Sequence, residues 1–240
     1  MIVQTACISN RGGREKNDDT VRILQKDGIY VFVGDGLGGY AGGKQASEIA
    51  AEQMMEIAAG GDLLDTQALL CAASKANQAV SRLQERSHGK MKTTMVFLAL
   101  EEGKARWMHV GDSRLYHFRR GALQSQTMDH SVSQMAVLMG EITVQQIRFH
   151  EDRNRILRAL GGPSATAELS EELTLVPGDA FLICTDGFWE YVYEQEMENA
   201  LRESGDPAKW LARMEQLLMA RVPEHSDNYT AAAVICAGAP

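Results

Sequence analysis

Long apolar runs and paired cysteines are both missing from the sequence. It has no stretch of about 18 apolar residues, and the first nine residues lack the basic flank of a secretory signal. The four cysteines, Cys7, Cys71, Cys184 and Cys236, are scattered and show no zinc or dithiol spacing. We therefore expect no membrane span, cysteines that mostly fill the core, and a cytoplasmic location.

Cationic residues are also in deficit. Lysine and arginine number 24 against 32 acidic residues, so the formal net charge is -8. This balance argues against nucleic-acid or anionic-membrane partners, which the chain would repel. Hydrophobic content of 45% and a length of 240 residues indicate one large globular domain, or at most two.

One apolar run stops at a carboxylate and passes directly into glycines. Residues 30–34 read Tyr-Val-Phe-Val-Gly, and Asp-Gly-Leu-Gly-Gly follows at 35–39. The run predicts a buried strand, and the glycines permit a tight turn close to a ligand. Asp35 and the Gly36 carbonyl would then offer hard oxygen ligands at a strand end. The alternative is a polar turn without function.

The hydrophobic pattern predicts strands in consecutive antiparallel groups, with helices inserted in blocks. This order favours an α+β layered sandwich over a doubly wound sheet. Residues 129–155 are interpreted as an irregular, partly helical excursion over the surface. The predicted strands are 2–8, 21–25, 29–34, 93–100, 105–110, 115–118, 167–175, 181–185 and 229–236, and the helices are 44–59, 63–86, 194–204 and 207–221.

Four aspartates stand at the ends of strand-like runs: Asp35, Asp112, Asp186 and Asp227. Strand ends of one sheet lie close together, and two charges about 4 Å apart repel by roughly 4 kcal/mol at an effective dielectric near 20. Such a cluster needs cations, and oxygen ligands without histidine or cysteine suit Mg²⁺ or Mn²⁺. Each aspartate alone could equally be a turn or cap residue.

Taken in order, these motifs resemble the metal-dependent type-2C (PPM) serine/threonine protein phosphatases. The resemblance spans nearly the whole chain. The matching motifs are Arg-Glu-Lys-Asn-Asp-Asp at 14–19, Asp-Gly-Leu-Gly-Gly at 35–39, Lys-Thr-Thr at 92–94, Gly-Asp-Ser-Arg at 111–114, Asp-His-Ser at 129–131, Thr-Asp-Gly at 185–187 and Asp-Asn at 227–228.

The resemblance implies a bacterial-type enzyme with a four-layer α/β/β/α sandwich. Two mainly antiparallel sheets would be flanked by helices, with a metal cleft at one end. Residues 1–240 would form a single catalytic domain, in which about 135–160 is a surface flap.

The resemblance also implies a set of metal ligands. Asp35 would bridge two Mn²⁺ or Mg²⁺ ions, with room for a third. The remaining ligands would be Asp186 and Asp227 at one ion, Asp18 and the Gly36 carbonyl at the other, partly through water, and Asp112 with Asp186 at the third.

The implied reaction is direct hydrolysis of phosphoserine or phosphothreonine by a water or hydroxide that bridges the two ions, without a phosphoenzyme. Arg14 would hold the substrate phosphate because its planar fork matches phosphate oxygens. Asp19 would orient the attacking water. The implied partners are phosphorylated proteins and a serine/threonine kinase whose action is reversed, and the enzyme would be a monomer.

Three residues depart from the family pattern. Asp18 replaces a glutamate, which shortens the reach to its ion. Lys92 replaces a glycine. Leu37 stands where animal members carry a histidine that can protonate the leaving group, so water must supply that proton here.

Two other functions remain open at this point. Residues 38–44 nearly match a nucleotide-binding P-loop, although Gln45 stands where a hydroxyl must meet Mg²⁺. The second alternative is a non-catalytic phospho-binding scaffold of the same fold.

Overall fold

The computed structural model describes residues 1–38, 42–61 and 63–238, so Gly39 of the glycine-rich motif lies outside the described residues. The strands are β1 Ile2–Asn10, β2 Thr20–Gln25, β3 Ile29–Gly34, β4 Gly36–Leu37, β5 Lys92–Thr93, β6 Met95–Glu101, β7 Lys104–Val110, β8 Arg114–Arg119, β9 Ala122–Gln126, β10 Glu168–Leu169, β11 Leu173–Thr174, β12 Asp179–Cys184 and β13 Tyr229–Ala237. The helices are α1 Gly42–Ala58, α2 Thr66–Ser87, α3 Val132–Leu138, α4 Asp186–Trp189, α5 Glu194–Ser204 and α6 Pro207–Met219, with a 3₁₀ helix at Val144–Phe149.

Two antiparallel sheets form the centre of the structure. The first has the strand order β1-β13-β12-β8-β9, and the second has the order β10-β7-β6-β3-β2 with β11 also paired to β7. A short ladder of β4 and β5 stands apart from both sheets. The predicted α+β sandwich of mainly antiparallel sheets is confirmed.

Both faces of the central strands β3, β6, β12 and β13 are buried, which explains their nearly continuous apolar runs. In β3, Val31 and Val33 belong to the cluster between the sheets, while Tyr30 and Phe32 pack into the cluster with α1 and α2. The outer face of the first sheet packs against α5 and α6, whose Trp210 is fully buried. The layers therefore run helix, sheet, sheet, helix, each pair held by its own apolar cluster.

Strand register brings the ends that carry the predicted site to one edge of the sandwich. β12 ends where β13 begins, and β3 ends where β2 begins, because antiparallel neighbours turn at the same edge. The registers that establish this are Cys184↔Ala231, Cys184↔Arg114, Asn10↔Tyr229, Gly34↔Thr20 and Val110↔Met95.

Two predicted strands are wrong in extent. The strand 167–175 is two short pieces, because Ser170 pairs with Trp107 through its backbone and its hydroxyl and residues 170–172 leave the ladder. The strand 93–100 breaks at Thr94, whose backbone amide and hydroxyl are both used to hold Asp35. Strand β9 was not predicted at all.

The segment expected to be irregular contains ordered elements. Ser131 caps α3 through its hydroxyl, which accepts from the Gln134 amide. Backbone bonds tie the segment together, from the Val132 amide to the Arg155 carbonyl and from the Leu157 amide to the His130 carbonyl, 3.0 and 2.7 Å. Among the described residues, no helix combines the length and apolarity that crossing a bilayer requires.

Candidate metal centre

A cleft of about 490 Å³ opens at the edge where the strand ends meet. It combines acidic side chains, a glycine-rich backbone and one exposed arginine. The lining residues are Arg14, Glu15, Lys16, Asp18, Asp35, Gly36, Leu37, Gly38, Asp227 and Asn228.

Asp35 is held at the head of the cleft by its backbone. Its carbonyl accepts from the Thr94 amide and the Thr93 hydroxyl, at 2.9 and 2.8 Å, and its amide donates to the Thr94 hydroxyl at 2.8 Å. A Cβ on the next residue, Gly36, would lie 2.2 Å from the Gly43 carbonyl oxygen. Only glycine fits there, so α1 approaches closely while the Asp35 carboxylate faces the other acids.

Three buried carboxylate oxygens accept no hydrogen bond from any described residue: Asp18 Oδ1, Asp19 Oδ1 and Asp112 Oδ1. Buried polar atoms are nearly always paired, so three unpaired oxygens in one cluster fit the coordination of a ligand. The other Asp19 oxygen accepts from the Thr185 hydroxyl at 2.8 Å. The orphaned oxygens are hard anionic donors, which fits Mg²⁺ or Mn²⁺.

The electrostatics of the cluster also call for cations. Burial, followed by repulsion from Asp186, Asp19, Asp112 and Asp227, holds the pKa of Asp35 well above its usual range. The pKa of Asp186 is likewise raised by burial and by neighbouring carboxylates. Burial raises the pKa of Asp19 to about 6 and that of Asp112 to about 7. The four aspartates predicted at strand ends therefore lie close together, and their negative charges repel one another.

Arg14 and Asp227 lie at the cleft mouth. Arg14 Nη2 donates to Asp227 Oδ2 at 2.8 Å, and both side chains are at least half exposed. The guanidinium therefore reaches the acidic cluster and remains open to solvent, where a phosphate could replace or join this contact.

Asn228 is a site residue for which the sequence suggested no role. Its Oδ1 accepts from the Asp18 amide, and its Nδ2 donates to the Arg11 and Lys16 carbonyls, at 2.8, 2.9 and 2.8 Å. These bonds fasten the loop that carries Arg14 and Asp18 to the start of β13. The asparagine directly after Asp227 was the available signal.

The Gly-Asp-Ser-Arg and Asp-His-Ser motifs build the support of the Asp112 corner. Arg114 donates to both oxygens of Asp129 at 2.7 Å and stacks on the Trp189 ring. Trp189 Nε1 donates to the Asp112 carbonyl at 2.9 Å. Asp112 lies close enough to Asp35 to help raise its pKa, whereas Asp129 neutralises a buried arginine.

His109, His130 and Glu168 place potential metal-ligating atoms within 4.8 Å of one another. His130 Nδ1, however, accepts from the Gly111 amide, so the neutral ring carries its proton on Nε2, 3.3 Å from Glu168. Burial and the stacked His109 lower the pKa of His130 to about 4. Hydrogen bonds to the Gly111 amide and to Glu168 therefore hold the neutral His130 ring in place.

The described residues of the 38–44 motif do not support the P-loop alternative. Residues 39–41 of that motif lie outside the described residues. Lys44 Nζ donates to the Asp19 carbonyl at 2.6 Å and to the Thr20 hydroxyl at 3.1 Å. Its ammonium is used inside the protein and does not extend toward a phosphate.

Comparison with known proteins decides the family. A family model described as protein phosphatase 2C matches residues 8–226. The chain belongs to the protein phosphatase 2C family. The serine/threonine protein phosphatase PstP of Mycobacterium tuberculosis is 30% identical over 213 residues, 84% of this chain and 39% of PstP. This chain thus spans about two fifths of that relative. The serine/threonine phosphatase stp of Listeria welshimeri is 31% identical over 206 residues, 79% of each.

Solved structures of the family share the fold. A crystal structure of Mycobacterium tuberculosis PstP matches with a TM-score of 0.86 and 28% identity, covering 99% of this chain and 100% of that one. The catalytic domain of PstP in complex with two manganese ions matches with a TM-score of 0.83 and 28% identity, covering 98% of this chain and 99% of that one. The predicted family and fold are confirmed.

Proposed function

We propose that this chain hydrolyses phosphoserine and phosphothreonine in proteins, with Mn²⁺ or Mg²⁺ as the required cation. The observation that carries the proposal is the convergence of unpaired buried carboxylates around Asp35, beside an exposed arginine. The relatives from Mycobacterium tuberculosis and Listeria welshimeri are both named serine/threonine phosphatases, which supports the same reaction.

The donor set suits a pair of ions. Asp35 would bridge them, and Asp112 with Asp186 would offer a third, looser position. The other ligands would be Asp186 and Asp227 at one ion, and Asp18 with the Gly36 carbonyl at the other. When bound, such ions supply an acidified water and stabilise charge on the phosphate oxygens.

Two residues of the chain would position the reactants. The Arg14 guanidinium, open to solvent at the cleft mouth, would leave Asp227 Oδ2 or share with it to bind two phosphate oxygens. Asp19 is fixed by the Thr185 hydroxyl through one oxygen and keeps the other without a partner among the described residues. That second oxygen would accept a hydrogen bond from the attacking water and orient it.

Leu37 lines the same cleft where animal relatives of the family carry a histidine. A leucine cannot donate a proton, so the leaving serine or threonine oxygen would take its proton from water.

We further propose a monomeric catalytic domain over 1–240, with residues 135–160 as a surface flap. Its substrates would be proteins phosphorylated by a serine/threonine kinase. The four free cysteines, of which Cys7 and Cys71 are exposed, support a reducing cytoplasmic setting for the proposal.

The test is hydrolysis of p-nitrophenyl phosphate and of a phosphothreonine peptide, each with Mn²⁺ and with EDTA. We expect turnover of both only with the cation. A protein that binds the peptide without turnover would instead be a scaffold, and a preference for nucleotides would restore the P-loop alternative. Acid quench during turnover should trap no phosphorylated protein, and a trapped phospho-residue would contradict direct hydrolysis.

A further inference from the structure

A second groove, of about 230 Å³, adjoins the metal cleft. Leu37 lines both, so the two cavities share a wall. The groove is built from β5 and the chain that follows the 3₁₀ helix. Its lining residues are Leu37, Lys92, Asn154, Ile156, Leu157, Arg158, Ala159, Gly162, Pro163 and Ser164.

Backbone pairing fixes the groove relative to the metal centre. Leu37 of β4 is the register partner of Lys92 of β5, one position beyond the pair formed by Gly36 and Thr93. On its other side, Thr93 exchanges two backbone hydrogen bonds with Leu160, at 3.2 and 2.9 Å. Lys92 is therefore the neighbour, along β5, of the residue that pairs with Gly36, whose carbonyl is a predicted metal ligand.

Helix α2 holds the rim of the groove. Asn77 Oδ1 accepts from the Gly161 amide at 2.7 Å. Gln84 Nε2 donates to the Gly161 carbonyl at 2.9 Å and also to the Met91 carbonyl. The groove is therefore preformed, as ligand sites usually are.

The cations around the groove divide into two kinds. Arg153 is paired with Glu190 at 2.9 Å, and Arg155 is paired with Asp152 at 3.1 Å. Lys92 and Arg158 line the groove, are exposed, and form no ion pair with any described carboxylate. In a chain with a net charge of -8, two uncompensated cations beside the cleft form a local attraction for anions.

We propose that this groove binds a second anionic group of the substrate, a carboxylate or a further phosphate a few residues from the phosphoresidue under hydrolysis. The proposal rests on the proposed phosphatase activity and narrows its substrates to acidic or multiply phosphorylated segments. An extended peptide covers about 3.3–3.6 Å per residue, so a short spacer joins the two sites. Lys92, where the family pattern has glycine, is then a specificity-determining residue of this chain.

The test compares phosphothreonine peptides that differ at one flanking position, which carries glutamine, glutamate or phosphoserine. One set has this position before the phosphothreonine and a second set has it after. The readout is the ratio of kcat/KM for the anionic peptide to that for the glutamine peptide, taken within each variant. For wild type we expect about 2- to 5-fold for glutamate, and more for the doubly charged phosphate. A gain with phosphoserine alone identifies phosphate as the ligand, and a gain with both identifies any anion.

Charge reversal provides the decisive comparison. Lys92→Glu should bring the ratio to one or below, while Lys75→Glu, the same charge change on the exposed face of α2, should keep the wild-type ratio. A wild-type ratio of one for both flanking positions would overturn the proposed anion site. A ratio that Lys92→Glu leaves unchanged would overturn it as well. Turnover of p-nitrophenyl phosphate, which has no flank, separates this failure from failure of the proposed phosphatase activity.

Discussion

Strand β12 has one aspartate at its start and another just past its end, and the two carboxylates lie in opposite environments. Asp179, its first residue, accepts from Arg119 Nε and Nη2, the Val176 amide and His117 Nε2, at 2.7, 3.0, 2.8 and 3.1 Å. Asp186 lies two residues past the other end. No arginine or lysine of the described residues lies within ion-pair distance of its carboxylate, which accepts a hydrogen bond from the Gly187 amide.

The pKa values record the difference. Burial raises the pKa of Asp179, but Arg119, the Val176 amide and His117 together outweigh it, so its pKa lies below the usual value. At Asp186 burial and neighbouring acids act in the same direction, so its pKa lies well above the usual value. A buried carboxylate that the protein itself compensates supports the fold, and one left uncompensated is available to a ligand.

The largest effect is expected at the uncompensated end. Asp35→Asn should lower Mn²⁺-dependent turnover of p-nitrophenyl phosphate by about 10³-fold or more, because it removes the carboxylate proposed to bridge both ions. The same change relieves repulsion, so thermal unfolding in EDTA should show equal or greater stability than wild type. Turnover near the wild-type level would remove the bridging role from Asp35.

The compensated end should respond in stability instead. Asp179→Ala should cost about 2–4 kcal/mol of unfolding free energy, because His117, Arg119 and the Val176 amide lose their acceptor. Urea unfolding measures the change. Glu172→Gln, which breaks the exposed pair with Lys104, is the control and should change stability by less than about 0.5 kcal/mol. If both variants had the same stability, Asp179 would have no structural role.

The pH dependence separates the two ends further. Asp19 and Asp112 have folded pKa values of about 6 and 7, above those of the unfolded chain. Between about pH 4 and 7 the folded protein therefore holds protons that the unfolded chain has released, so metal-free stability should fall as pH rises, by several kcal/mol at about 1.4 kcal/mol per pKa unit.

Asp179 has the opposite sign. Its folded pKa is lowered, so its contribution is present above the unfolded pKa and is lost as pH falls through the folded value. Unfolding curves in EDTA from pH 2 to 8 test both, with saturating Mn²⁺ as the control above pH 4. The cation should abolish the decline with pH, and a metal-free protein most stable near pH 8 would contradict the uncompensated cluster.

The smallest effect is expected at the cleft mouth. Arg14→Lys keeps the charge but loses the planar fork, so kcat/KM for a phosphothreonine peptide should fall about 10- to 100-fold. Stability should hardly change, because the pair with Asp227 is exposed and contributes little. Steady-state kinetics and urea unfolding of the same preparation measure both, and unaltered kcat/KM would exclude Arg14 from phosphate binding.

By itself the sequence determined the family, the layered α+β fold and several of the acids that the structure gathers around Asp35, because strand-end aspartates and glycine turns are local signals. Asp35 next to Gly36 and Asp186 after the β12 run could be recognised without any coordinates. Helix α6 carries a local start signal in Asp206 and Pro207, and the Asp206 side chain accepts from the Lys209 amide.

Only the tertiary structure decided which aspartates are compensated. Asp179 and Asp186 lie at similar strand ends, but the arginine that neutralises Asp179 is 60 residues away in the chain. The break at Thr94 and the anchoring role of Asn228 depend on partners 59 and 210 residues away. Local pattern specifies where a charge stands along a strand, whereas the packing of remote segments specifies whether anything opposes that charge.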